Sequence, residues 1–135
     1  MKKRGFTLIE LLVVVSVIAI LAAVGIAAFT GATKRARDSR RKADMKSIQD
    51  AFESYYAIYN KYPARVTSGG RISIDGRYFL IPSDPKTGSY YTWTGNNTTR
   101  YCYCARLEET TKGNSSNSTC NFVRTGAYFC VQNRQ

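Results

Sequence analysis

The sequence predicts an α+β protein in which one long N-terminal helix, transmembrane and then amphipathic, packs on a small antiparallel β-sheet. Three observations carry this expectation. Residues 6–29 form an apolar run interrupted by a single acid, Glu10. Met45, Ile48, Phe52, Tyr55 and Tyr59 recur every three or four residues, the period of one helix face. Beyond residue 63 the pattern changes to short β-rich runs separated by turn formers.

The apolar run is 24 residues long. At 1.5 Å per residue a helix of that length spans roughly 36 Å, enough to cross a hydrocarbon core of about 30 Å. Lys2, Lys3, Arg4 and Gly5 precede it. A carboxylate at membrane depth is costly, so Glu10 calls for a partner. Cleavage between Gly5 and Phe6 would supply one, because the new α-amino group of Phe6 is a cation and Glu10 becomes the fifth residue of the mature chain. One amine and one carboxylate per subunit can then pair between neighbours. Small residues crowd the second half of the run, among them Ala19, Ala22, Ala23 and Ala28, and they let helices approach closely.

Gly5, Phe6, Thr7, Leu8, Ile9 and Glu10 match at every position the signature of type IV pilins and of the pseudopilins of type II secretion. The chain resembles that family. The resemblance implies a type IV pilin-like fold, cleavage after Gly5 by a prepilin peptidase, methylation of the Phe6 nitrogen, and alignment of the next subunit by Glu10. It implies a leader at 1–5, a transmembrane and filament-core helix at 6–29, an amphipathic continuation at 30–62 and a globular head at 63–135. The function it implies is that of a pilus structural subunit, a major pilin, forming a homopolymer for adhesion, twitching motility or DNA uptake. Its partners would be the peptidase, the inner-membrane pilus assembly machinery, and DNA or a host surface. The precursor would sit in the inner or cytoplasmic membrane and the assembled pilus outside the cell. A type II secretion pseudopilin and a minor pilin are the alternatives within the family. From another class, the alternative is a non-polymerising membrane-anchored module for DNA or anionic glycan. Many relatives carry a proline where this chain has Ala27, so a melted segment would fall to Gly25 and Gly31. A secretory signal cut within residues 19–28 is the competing reading of the same run.

Formal net charge is +11, and loss of Lys2, Lys3 and Arg4 with the leader takes it to +8. Lys34, Arg35, Arg37, Arg40, Arg41 and Lys42 follow the apolar run with Asp38 as the one acid among them. They are candidate contacts for nucleic acid or anionic head groups, against the plainer reading of a solvated or inter-subunit helix face. By charge alone this side of the span would stay in the cytoplasm; leader processing in the family resembled fixes the opposite orientation.

The apolar stripe from Met45 to Tyr59 continues the helix to about Asn60, with Lys46, Gln49, Asp50 and Glu53 away from it and Pro63 ending the run. Aromatics at helical spacing read as core rather than as an electron-carrying stack. In the head, residues 67–70 and 82–88 read as loops. Residues 89–94, 100–107 and 127–132 read as three antiparallel strands, with a hairpin-like break at Gly95, Asn96 and Asn97.

Cys102, Cys104, Cys120 and Cys130 are an even number in a small exported head, which points to two disulfides. Four cysteines allow three pairings; placing Cys104 nearer the loop favours Cys102–Cys130 with Cys104–Cys120, and the sequence leaves the connectivity open. Their spacing is unlike that of zinc ligands, and no metal or cofactor is expected. The Asn-x-Ser/Thr triplets at Asn96, Asn97, Asn114 and Asn117 read as incidental, and residues 110–119 as a flexible polar loop. After Tyr101 the acids are Glu108 and Glu109, so no acidic calcium loop is expected. With no histidine, no carboxylate pair and no phosphate cradle, no enzyme activity is expected.

Overall fold

The computed structural model describes residues 5–63 and 70–134. Residues 1–4 of the expected leader and residues 67–69 of the expected loop at 67–70 lie outside the described residues, as do the side chains of Ala27, Asn96 and Asn97. Helix α1 (Leu8–Tyr59) contains 52 residues. The chain divides into two compact units, one through Lys34 and one from Arg35.

In the first unit, Leu8, Ile9, Leu12, Ile18, Leu21 and Phe29 are all more than half exposed. By length and composition this helix is apolar and long enough to cross a membrane. Gly25 and Gly31 lie within it, and a Cβ added at either would meet open space. A helix apolar on every side needs a bilayer or partner helices to cover it.

The second unit begins with the amphipathic part of α1. Met45, Ile48 and Phe52 are fully buried, and Ala51 beside them nearly so. The Phe52 ring meets Tyr101, Trp93 and Tyr103 at centroid distances of 4.8, 5.2 and 5.9 Å, the offset and edge geometries that aromatic quadrupoles favour. The stripe then departs from the expected one. Tyr56 packs on the core, whereas Tyr55 stacks on Tyr59 at 4.4 Å and Tyr59 is 39% exposed. Glu53, expected to face solvent, turns to the sheet side instead: its carboxylate accepts the hydroxyls of Tyr62 and Tyr101 and the Arg134 N–H. The helix stops at Asn60, whose φ of 50° is a left-handed cap that asparagine tolerates.

Two sheets follow. β1 (Arg71–Ile74) and β2 (Arg77–Leu80) form a hairpin. β3 (Thr92–Asn97), β4 (Arg100–Arg106), β5 (Gly113–Ser115), β6 (Phe122–Gly126) and β7 (Tyr128–Gln132) form an antiparallel sheet in the order β3-β4-β7-β5-β6. The three expected strands thus become seven among the described residues. The expected break at residues 95–97 is corrected too: β3 runs through Asn97 with an irregularity after Thr94, and the turn is at Thr98 and Thr99. The missed hairpin carried a clear signal, Asp75-Gly76 between alternating residues. Both have positive φ, 47° and 74°, as a two-residue type I′ turn requires. The polar stretch at 110–119 contains β5 rather than being loop throughout. β5 lies so close to β7 that a Cβ on Gly113 would overlap the Tyr128 carbonyl.

Candidate functional site

The N-terminal signature folds into a reciprocal cap. Thr7 precedes the first helical residue, and its N–H and hydroxyl donate to Glu10 Oε2 at 2.9 and 2.8 Å. The Glu10 N–H donates back to Thr7 Oγ1 at 3.3 Å. This is a capping box, in which two N-terminal donors are satisfied by each other's side chains. It holds the carboxylate at the positive end of the helix dipole, one turn from Phe6, which is 82% exposed. Thr7 is the participant that the sequence reading missed, although Thr-x-x-Glu ahead of an apolar run is the pattern that signals it.

The basic cluster is divided among several tasks. Lys34 and Arg40 are exposed and form no ion pair among the described residues. Arg35 pairs with Glu109 at 3.3 Å. Arg37 forms two bonds to Glu108, 2.6 and 2.9 Å. Lys42 donates to the Lys112 carbonyl at 2.8 Å and lies over the Phe129 ring. Arg41 is turned inward, with its side chain 4% exposed. Its guanidinium holds Asp84 through Nε at 2.6 Å and Nη2 at 3.2 Å, Asp38 at 2.7 Å and Glu108 at 3.1 Å. Arg41 therefore has no face left for an outside anion, which corrects its place among the candidate nucleic-acid contacts.

Around Arg41 the helix, the loop at 82–88 and the segment after β4 are joined by charge-assisted bonds, the stronger class of hydrogen bond. Asp38 also accepts the N–H groups of Glu108 and Glu109, and Asp84 those of Lys86 and Thr87. The Arg41 bonds hold the Asp84 carboxyl well below the usual range. Arg37, with Arg41 and Lys86, pulls Glu108 down to about 2. The Asp84 bond in turn raises Arg41 further. Sequence did contain a hint, since Arg41 falls four residues before Met45 on the stripe that continues to Ile48 and Phe52. At the far end of the head, burial and the bond to Glu53 push Tyr62 up to about 12.

All four cysteines are bonded, Cys102 to Cys120 and Cys104 to Cys130. This corrects the favoured pairing. The β4–β7 register sets Cys104 directly opposite Cys130 and Cys102 opposite Gln132, so Cys104 and Cys130 are 4.2 Å apart at Cα. Cys120 reaches Cys102 from the returning loop, in a left-handed conformation with φ of 56°. The sulfurs all lie within 4.8 Å of one another, yet as disulfides they offer no thiolate to a metal. Two of the glycosylation triplets serve the fold: Asn114 exchanges two hydrogen bonds with the Cys130 backbone, and Asn117 accepts from Thr119.

Comparison with known proteins agrees with the N-terminal geometry. Residues 1–26 match the family described as "Prokaryotic N-terminal methylation motif". The type IV major pilin protein PilE1 of Neisseria gonorrhoeae is 38% identical over 80 residues, covering 56% of this chain and 48% of that protein. The prepilin peptidase-dependent protein D of Escherichia coli is 38% identical over 89 residues, covering 66% of this chain and 54% of that protein. The type II secretion system core protein G of Pectobacterium carotovorum is 30% identical over 63 residues, covering 47% and 40%. The chain thus spans about half the length of the curated relatives it matches. No solved structure matches it. In its methylation motif, its capped glutamate and these relatives, the chain is similar to the type IV pilins.

Proposed function

We propose that the chain is a structural subunit of a type IV pilus, a major pilin stored in the membrane as a prepilin and polymerised through the first half of α1. The observation that carries this reading is the exposed apolar helix with one capped carboxylate at its start. Bundling such helices replaces lipid with protein and leaves their solvation nearly unchanged, so register must come from the few polar groups. After cleavage behind Gly5 by a prepilin peptidase, the Phe6 amine of one subunit meets Glu10 of its neighbour. The bonds from Thr7 keep Glu10 positioned before that meeting. The subunit performs no catalysis; membrane machinery drives assembly, and the filament serves adhesion, motility or DNA uptake outside the cell. The match to a type II secretion core protein favours the pseudopilin as the second reading.

Glu10→Ala tests the mechanism. It is expected to insert in the membrane and be cut after Gly5, yet to yield no sheared filaments as sole subunit, while Glu10→Gln gives an intermediate yield. Normal filaments from Glu10→Ala would remove the register role. Surface filaments composed mainly of this chain separate the major pilin from the pseudopilin and from the non-polymerising module.

A further inference from the structure

Both disulfides occupy one small space. Their four sulfurs all lie within 4.8 Å of one another, with Cys102 Sγ 3.6 Å from Cys104 Sγ and Cys104 Sγ 4.0 Å from Cys120 Sγ. A tetrahedral tetrathiolate centre with metal–sulfur bonds of about 2.3 Å sets its sulfurs about 3.8 Å apart. The distances between one bridge and the other thus match the edge of such a centre. The backbone gathers these side chains by means other than the sulfur bonds. Cys102 and Cys104 are two residues apart on β4, so their side chains share a face. Cys130 joins them because the β4–β7 ladder sets it opposite Cys104. Cys120 comes over that face on the loop between β5 and β6. There Ser115 Oγ donates to the carbonyls of Asn117 and Asn121, and Thr94 Oγ1 donates to that of Ser118 at 3.0 Å. None of these bonds involves a sulfur, so opening both bridges leaves them in place.

The surroundings select the kind of ion. Cys104 and Cys130 are 1% and 2% exposed, whereas Cys120 is half-buried and leaves one open side. The chain has no histidine, and no carboxylate belongs to the cluster among the described residues. Four sulfurs in a tetrahedron favour zinc over calcium or magnesium, which take oxygen ligands. A zinc centre with four thiolates carries two net negative charges. Residues 35–135 have sixteen Lys and Arg against eight Asp and Glu, a positive surrounding for it. The spacing along the chain is unlike that of familiar zinc ligands because two paired strands and a returning loop, rather than one tight turn, bring the sulfurs together.

We propose that the head, when its bridges are reduced, binds one zinc ion through Cys102, Cys104, Cys120 and Cys130. On binding, the four thiols release their protons to water and the thiolates take the metal. Metal and bridges are then alternative staples of β4, β7 and the loop that carries Cys120. A small-molecule disulfide exchanges one for the other. Two molecules of it accept four electrons from the four thiolates and leave as four thiolates of their own, while the protein regains two bridges and Zn2+ departs. The site is independent of whether the chain polymerises.

The test uses the full chain in neutral detergent, reduced with a phosphine without air, freed of reductant and titrated with Co2+, whose visible absorption reports tetrahedral thiolate ligands. One cobalt per chain is expected, with the charge-transfer intensity of four thiolates, and one equivalent of Zn2+ should displace it. Glutathione disulfide should abolish the absorption, and the chain with its bridges intact should show none. At about 100 times its Kd, zinc should raise the Tm of the reduced chain by roughly 10–20 °C. Cys120→Ser and Cys130→Ser, in the loop and in β7, should each weaken cobalt binding by more than the roughly tenfold that an outer partner of a metal ligand is worth. The intensity per cobalt counts thiolates in the parent chain itself, so a folding defect in a variant cannot carry the result. A pale octahedral complex, an unchanged Tm, binding by the bridged chain, or parent affinity in either serine variant would overturn the proposal and leave adventitious binding by Cys102 and Cys104.

Discussion

Arg41→Met is the most informative change in the head, because it keeps the apolar stem of the side chain and deletes the guanidinium. Four hydrogen bonds to three carboxylates go with it. Removing one partner of a buried ion pair costs about 3–5 kcal/mol, mostly because the other charges stay buried and unmatched. Here the loss belongs at the lower end, since Asp38 and Asp84 each retain two backbone N–H donors and Glu108 retains Arg37. For a head of this size about 3 kcal/mol corresponds to a fall in Tm of roughly 12–24 °C. The assay is near-UV circular dichroism of the purified chain, following the packed rings around Phe52 and Trp93. Acid supplies the second arm. Asp84 and Glu108 have folded values below their unfolded ones. Their contribution is therefore complete above the unfolded carboxylate range of about 4 and is lost as pH falls through the folded values, about 2 for Glu108. The gap in Tm between the parent chain and Arg41→Met should therefore narrow as pH drops from about 5 towards 2. A variant within about 1 kcal/mol of the parent at neutral pH, or a gap that does not change with acid, would refute the reasoning, since exposed pairs behave that way.

Three further outcomes are expected. Intact-mass analysis of the protein from its membrane should give a chain that begins at Phe6; one that begins within residues 19–28 would return the apolar run to an ordinary signal. Non-reducing peptide mapping should recover Cys102–Cys120 and Cys104–Cys130 with no alkylatable thiol, and serine at both members of either bridge should cost roughly 2–4 kcal/mol of head stability. Gly113→Ala should prevent a stable head from accumulating, because the new methyl would occupy the space of the Tyr128 carbonyl oxygen; a Tm near the parent's would show that β5 can shift away.

The parts of the molecule legible in the sequence are those fixed by local pattern. The apolar run, the stripe of Met45, Ile48 and Phe52, and the stop near Asn60 each depend on residues a few positions apart. What escaped depended on pairing across long separations. Cys130 meets Cys104 rather than Cys102 because β7 pairs with β4 from Tyr128 opposite Arg106, a register that no local pattern encodes. Arg41 sits in a run of cations and shares their local pattern, although its position on the buried stripe sets it apart; Asp84 and Glu108, its partners, are 43 and 67 residues away. The hairpin around Asp75 and Gly76 was different. Its signal is local, an Asp-Gly turn between two short β-rich runs.

The two disulfides have a mechanical consequence for a subunit held under tension. Because Cys120 falls between Cys104 and Cys130, the bridges interleave, and a force entering at Cys102 and leaving past Cys130 runs through two residues of β4 and then across the sulfur bond. The 26-residue separation of Cys104 and Cys130 is thereby shielded from pull, about 90 Å of extended chain. Reducing that bond diverts the load to Cys102–Cys120, which still shields its own separation of 18 residues, about 60 Å. A stretched head would therefore lengthen in two graded steps under reduction, the first of about 30 Å, and only the second would free the whole sheet to unravel.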